Sequence, residues 1–171
     1  NSQVLTLLSK QENLQSLSLL LDETPSEAAL TLMAEGSPRL QSLKVLGCGS
    51  KLNFAIMEKF LSVRTSLQKV SFHGEMVDDA SVALIAKYCK NLTELNVSAC
   101  GAESDDGLLT VVKSCRHLLS LNVLRCSCIS VAGLLQSQQF TPQLTCVSFT
   151  FSSDENVEII EYFRHAQCSA L

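Results

Sequence analysis

A chain of 171 residues with 46% apolar and 18% charged residues can fill one sizeable core, which a disordered chain cannot. Its net charge of −4 offers no positive field to phosphate backbones or anionic lipid, so neither nucleic acid nor a membrane is an expected partner. No apolar run approaches the ~18 residues of a membrane span, and residues 1–13 lack a signal peptide's basic start and continuous apolar middle, which points to an intracellular protein, cytoplasmic or nuclear.

Leucine occurs 29 times, Trp is absent and aromatics make up 5%. Aliphatic packing must therefore supply the core, and a repeated leucine position is expected. Eight cysteines fit a disulfide framework, a metal site or neither, and only their spacing separates these.

In chain order, residues 1–13 fit the helical second half of a unit. Leu14 then opens a strand pattern that is apolar at positions 0, +3 and +5, here Leu14, Leu17 and Leu19. Thr24-Pro25-Ser26-Glu27 reads as a turn into a helix, with Thr24 capping and Pro25 at the first helical position. The strand pattern returns as Leu40/Leu43/Val45, Leu67/Val70/Phe72, Leu92/Leu95/Val97, Leu118/Leu121/Val123 and Leu144/Val147/Phe149, at intervals of 25–27 residues. Alternation at +3 and +5 is the period of a strand with one buried face. The following stretch carries helical spacing, as in Val82, Ile85, Ala86 and Cys89. Thr141-Pro142 ends the helix before Leu144. One such unit cannot bury its apolar side alone, so neighbours must stack.

On these residues the chain resembles the leucine-rich repeat family, in its cysteine-containing form. Cys89, Leu92, Leu95, Val97 and Cys100 match the unit pattern Cys-x-x-Leu-x-x-Leu-x-Leu-x-x-Cys, as do Cys115, Leu118, Leu121, Val123 and Cys126. Cys48 fills the second cysteine position of the Leu40 unit, and Cys168 stands three residues before Leu171. Asp22, Glu75 and Ser152 replace the second cysteine in the other units. The resemblance implies an α/β leucine-rich-repeat solenoid of about six repeats over residues 1–171, with a parallel sheet on the concave face and helices on the convex face. With half-units at both ends and no polar cap, the chain is expected to be a piece of a longer solenoid.

The same frame sorts the other candidates. Six cysteines fall in two columns, −3 and +8, and the +8 thiol is expected to turn inward and bond the backbone of the turn. A zinc site from Cys126, Cys128 and Cys100 or Cys146 has only one Cys-x-Cys behind it, so no metal and no cofactor are expected. Lys10, Arg39, Arg64, Lys87, Lys90, Lys113, Arg116 and Arg164 gather at helix C-termini, and Asp78, Asp79, Asp105, Asp106, Asp154 and Glu155 at helix starts, where each sign suits the helix dipole and Asp caps free N–H groups. The acidic pairs also predict an acidic patch on one edge. His117 and His165 are expected to be solvated. No nucleophile elbow, phosphate loop, dinucleotide fingerprint or His-Glu-x-x-His occurs, so an enzyme is not expected.

If +3 and +5 face inward, +2, +4 and +6 face outward. These columns are Ser16, Ser42, Lys69, Glu94, Ser120, Cys146; Ser18, Lys44, Ser71, Asn96, Asn122, Ser148; and Leu20, Leu46, His73, Ser98, Leu124, Thr150. The row is small and polar with a leucine border, which suits close approach by a protein segment. Lys44, Lys69, Ser71, His73, Glu94, Asn96, Asn122, Leu124 and Arg125 are the expected partner-binding residues. The resemblance further implies the substrate-recognition region of an F-box-type ubiquitin ligase subunit, its adaptor bound through a region outside this chain. A scaffold repeat domain and a host–pathogen recognition protein are the alternatives.

Overall fold

A computed structural model describes residues 10–21, 36–47, 54–73, 77–99 and 104–149. Six strands, β1 (Ser16–Leu21), β2 (Ser42–Gly47), β3 (Lys69–His73), β4 (Glu94–Asn96), β5 (Ser120–Val123) and β6 (Cys146–Phe149), form one sheet in chain order, and every pairing is parallel. Register follows the sequence columns without a slip: Ser16 pairs with Ser42, Ser42 with Lys69, Lys69 with Glu94, Glu94 with Ser120 and Ser120 with Cys146. A one-residue slip would turn the apolar +3 and +5 residues to the open face, and that penalty fixes the register. Ahead of each strand, the carbonyls of Gln15, Gln41, Gln68, Thr93 and Leu119 each accept two N–H groups from the next unit at 2.7–3.1 Å.

Four helices are described: α1 (Phe54–Ser62), α2 (Asp79–Tyr88), α3 (Asp105–Ser114) and α4 (Val131–Gln138). Each packs on the next. Their inward stripes share one spacing. Met57, Phe60, Leu61 and Arg64 repeat as Val82, Ile85, Ala86 and Cys89, then as Leu108, Val111, Val112 and Cys115, all buried. This i, i+3, i+4, i+7 stripe packs against the leucines of the sheet in a single cluster. Full burial of each Val, Leu, Ile, Phe or Met in the stripe stabilises by about 1.5–3 kcal/mol.

The helix starts differ in one respect from expectation. Asp78 does cap α2, accepting the Ser81 N–H at 3.0 Å. The caps of α3 and α4, however, are Ser104 and Ser130. Asp79 and Asp105 stand one position inside their helices and reach into the following unit. Asp79 accepts from Ser104 N (2.9 Å) and Ser104 Oγ (2.6 Å); Asp105 accepts from Ser130 N (2.8 Å) and Ser130 Oγ (2.6 Å). The expected acidic edge is thus partly engaged as a ladder between repeats.

Arg64 is a case of another kind. It keeps the expected place just past a helix C-terminus, two residues beyond Ser62, but it is fully buried, because it occupies the fourth place of the helical stripe, where α2 and α3 are followed by cysteine. Its Nη1 donates to Phe60 O at 2.9 Å, its Nη2 donates to Gly36 O, and its guanidinium lies 3.8 Å from the Phe60 ring centroid.

The −3 column is a second ladder between units. Ser37 Oγ donates to Gln11 O (3.2 Å), and Cys115 Sγ to Cys89 O (3.5 Å). The expected inward turn at +8 is seen in Cys126, though its thiol lies nearer Val97 O of the preceding unit (3.2 Å) than Leu124 O of its own turn (3.9 Å). Burial pushes the Cys89 thiol up to about 12 and the Cys115 thiol up to about 11. Since the thiolate is the nucleophile, iodoacetamide on the native protein is expected to modify exposed Cys128 and spare Cys89 and Cys115 until urea unfolds the chain. Native labelling of Cys115, mapped by peptide mass, would contradict its buried bond. The Thr24–Pro25 turn, Cys48, Cys100, Cys168, Asp154, Glu155 and His165 lie outside the described residues.

Candidate functional site

The open face of the sheet carries the predicted binding residues, and their columns run across it in register. Lys44 pairs with Ser18 on one side and Ser71 on the other. Lys69 lies opposite Glu94, and Asn96 opposite Asn122. Lys44, Lys69, His73, Glu94 and Arg125 are exposed; Ser71, Asn96, Asn122 and Leu124 are half-buried.

Internal bonds divide these residues. Lys69 Nζ pairs with Glu94 Oε1 across adjacent strands, each side chain about half exposed. Such a surface pair is worth roughly 0–1 kcal/mol, and it removes both charges from the local balance. The His73 ring shares its Nδ1 with Ser98 Oγ at 2.9 Å. Lys44 is left as a cation without an ion pair among the described residues.

Asn96 and Asn122 have a role the column reading missed. Asn96 Oδ1 accepts the N–H of Ser98 at 3.0 Å, and Asn122 Oδ1 accepts the N–H of Leu124 at 3.0 Å. One residue further on, Ala99 and Arg125 adopt positive φ, 60° and 61°. Asn therefore bends the chain out of the strand, a local Asx bond made just before a left-handed residue. Its carbonyl is thus engaged by the chain's own backbone. The signal was the repeated Asn-Val-x-x at 96 and 122.

A residue outside the predicted set stands out at the strand ends. Leu20 is 72% exposed, the most exposed large apolar side chain described, and it pairs in register with Leu46, which pairs with His73. A half-apolar rim thus runs past Lys44. Thr150 lies outside the described residues. Among the described residues no three or more His, Cys, Asp or Glu side chains gather as metal ligands, and no helix is long and apolar enough to cross a membrane.

No family model matches the chain. Among solved structures, it is similar to a chain in the crystal structure of the yeast Rad7 and Elc1 complex, with a TM-score of 0.58 and 17% sequence identity. That likeness is one of fold. The match covers 88% of this chain and 48% of the other, so the chain spans about half the length of the protein it resembles.

Proposed function

We propose that this chain is a protein-interaction module, a leucine-rich-repeat solenoid whose open sheet face holds a segment of a protein partner and carries out no catalysis. The observation that carries this reading is what internal bonding leaves over on that face: Lys44, with no ion pair among the described residues, beside a rim led by exposed Leu20, above rows of serine that admit close approach. An aliphatic side chain that stays in water contributes nothing to folding, whereas at an interface it is removed from water together with the partner's surface.

Within that reading, the partner is the target of an F-box-type ubiquitin ligase, and the ligase adaptor binds a region outside this chain, inside the cell. Two observations support it: the cysteine-containing repeat pattern at residues 89–100 and 115–126, and the likeness to a protein solved in a two-protein complex. The test is affinity capture from cells with the wild-type chain, L20E/K44E and the charge swap K69E/E94K. Proteins held through the open face are expected to bind L20E/K44E about tenfold or more weakly, a loss of roughly 1.4 kcal/mol, while the swap, which keeps its own ion pair, costs less. Equal retention of every partner by L20E/K44E would remove the open face from consideration. Failure of a ligase adaptor to co-purify with the protein captured from cells at its natural length would remove the ligase assignment.

A further inference from the structure

We propose a second docking site, on the edge of the sheet where the strands begin, for an extended peptide bearing a carboxylate next to an apolar side chain. It is separate from the open face and does not depend on the ligase reading. An open depression of about 650 Å³ lies there, lined by Gln68, Asn91, Arg116, His117, Leu119 and Gln143 among others.

The unbalanced charge is the first argument. Of the basic residues at the helix ends, most have an internal role. Arg39 donates to Asn13 Oδ1 at 2.9 Å, Lys90 to Ala86 O at 2.6 Å, and Lys87 to Glu58 Oε1 at 2.9 Å; Lys113 lies over the Phe140 ring; Arg64 is buried. The side chains of Arg116 and His117 make no such contact among the described residues, both are exposed, and no acidic residue lines the depression. The negative helix ends that would repel an anion are offset by Lys90, bonded to the last turn of α2, and by Lys113 in the last turn of α3.

The arrangement of donors and acceptors is the second. Asn91 donates its amide to Thr65 O and Gln143 donates its amide to Arg116 O, so both keep a carbonyl oxygen for the N–H groups of an extended backbone. Leu119 is 42% exposed, although it sits beside this polar wall. One guanidinium matches one carboxylate in planar geometry. A phosphate dianion fits less well, because the neighbouring carboxamide oxygens face its own acceptors. The occupant is therefore a peptide with one Glu or Asp beside a leucine-like residue.

The test titrates a blocked heptapeptide containing Glu-Leu into isotope-labelled protein, with the Gln-Leu peptide and inorganic phosphate as comparisons. Saturable shifts are expected at the Arg116 Nε–H, the His117 ring and the Leu119 methyls, with Kd on the order of millimolar. The Gln-Leu peptide, and the R116Q protein with the Glu-Leu peptide, are each expected to bind at least about fivefold more weakly. Arg116 is exposed, so amide spectra unchanged elsewhere will show that R116Q remains folded. Equal affinity for both peptides, undiminished binding by R116Q, equal shifts with phosphate, or shifts confined to Lys44 and Leu20 would each overturn the proposal.

Discussion

Replacing Arg64 with alanine is expected to destabilise the fold by about 3–5 kcal/mol, a large share of the 5–15 kcal/mol that holds a typical domain together. Truncation leaves a cavity at a position with no exposed surface, strips Phe60 O and Gly36 O of guanidinium donors, and removes the cation from the Phe60 ring. Each carbonyl left without a donor costs about 1–3 kcal/mol, and the cavity adds to that. R64M separates the two effects: it refills most of the volume and restores no donor, but it also ends the cost of burying a charge, so it should lose only about 1–3 kcal/mol. Burial lowers the guanidinium pKa from 12.5 to about 10. Below pH 10 the group is charged in both folded and unfolded chains, and the penalty of burying that charge is fully present. It fades only as pH rises from about 10 towards 12.5, where the unfolded chain alone keeps the proton. The gap between wild type and R64M should therefore be flat from pH 6 to 9, measured by urea unfolding. An R64M protein as stable as wild type would show that the bonds to the two carbonyls do no more than offset the cost of burying the charge.

Arg64 also marks the limit of what the sequence displays. The strand columns were legible because their signal is redundant: eighteen apolar residues at 0, +3 and +5 share one hydrophobic demand, and the same demand sets the register. Most of what was missed is made of bonds between adjacent units, 25–29 residues apart, which local chemistry does not reveal. Arg64 is a helix-end cation by its own local sequence, yet three residues before Leu67 it stands in the column of Cys89 and Cys115. Asn96 and Asn122 read as partner contacts for a different reason. An outward column says where a side chain starts and nothing of the backbone N–H two residues ahead that competes for it. On the open face, legibility was best for charge position and poorest for charge pairing, as Lys69 and Glu94 show: both were singled out, and they are joined to each other.

The second large effect concerns the ladder between helices, where a single methyl group is expected to change sign with its neighbour. A Cβ at Gly107 would lie 2.1 Å from Asp79 Oδ1, and one at Gly133 would lie 2.1 Å from Asp105 Oδ1. Both carboxylates are held in place by two bonds to the capping serine of the next helix. That serine also accepts the glycine N–H, Gly107 N at 3.4 Å and Gly133 N at 3.1 Å, so Asp, Ser and Gly form one relay that the carboxylate cannot leave without breaking it. G107A should therefore push Asp79 off Ser104. Losing two charge-assisted bonds costs about 1.5–3 kcal/mol each when shielded and less at this half-buried site, while alanine returns about 1 kcal/mol of helix propensity. The net expectation is a loss of about 1.5–3 kcal/mol in the wild-type background. In a D79A background the obstruction and the bonds are already gone, and the same G107A change should stabilise by about 0.5–1 kcal/mol. Urea midpoints of the four proteins in this cycle measure the coupling between α2 and α3 directly. If G107A has the same effect with and without Asp79, the two helices are coupled through their apolar stripes alone. The observed geometry predicts the reverse: the space glycine leaves is what allows one repeat's carboxylate to cap the next.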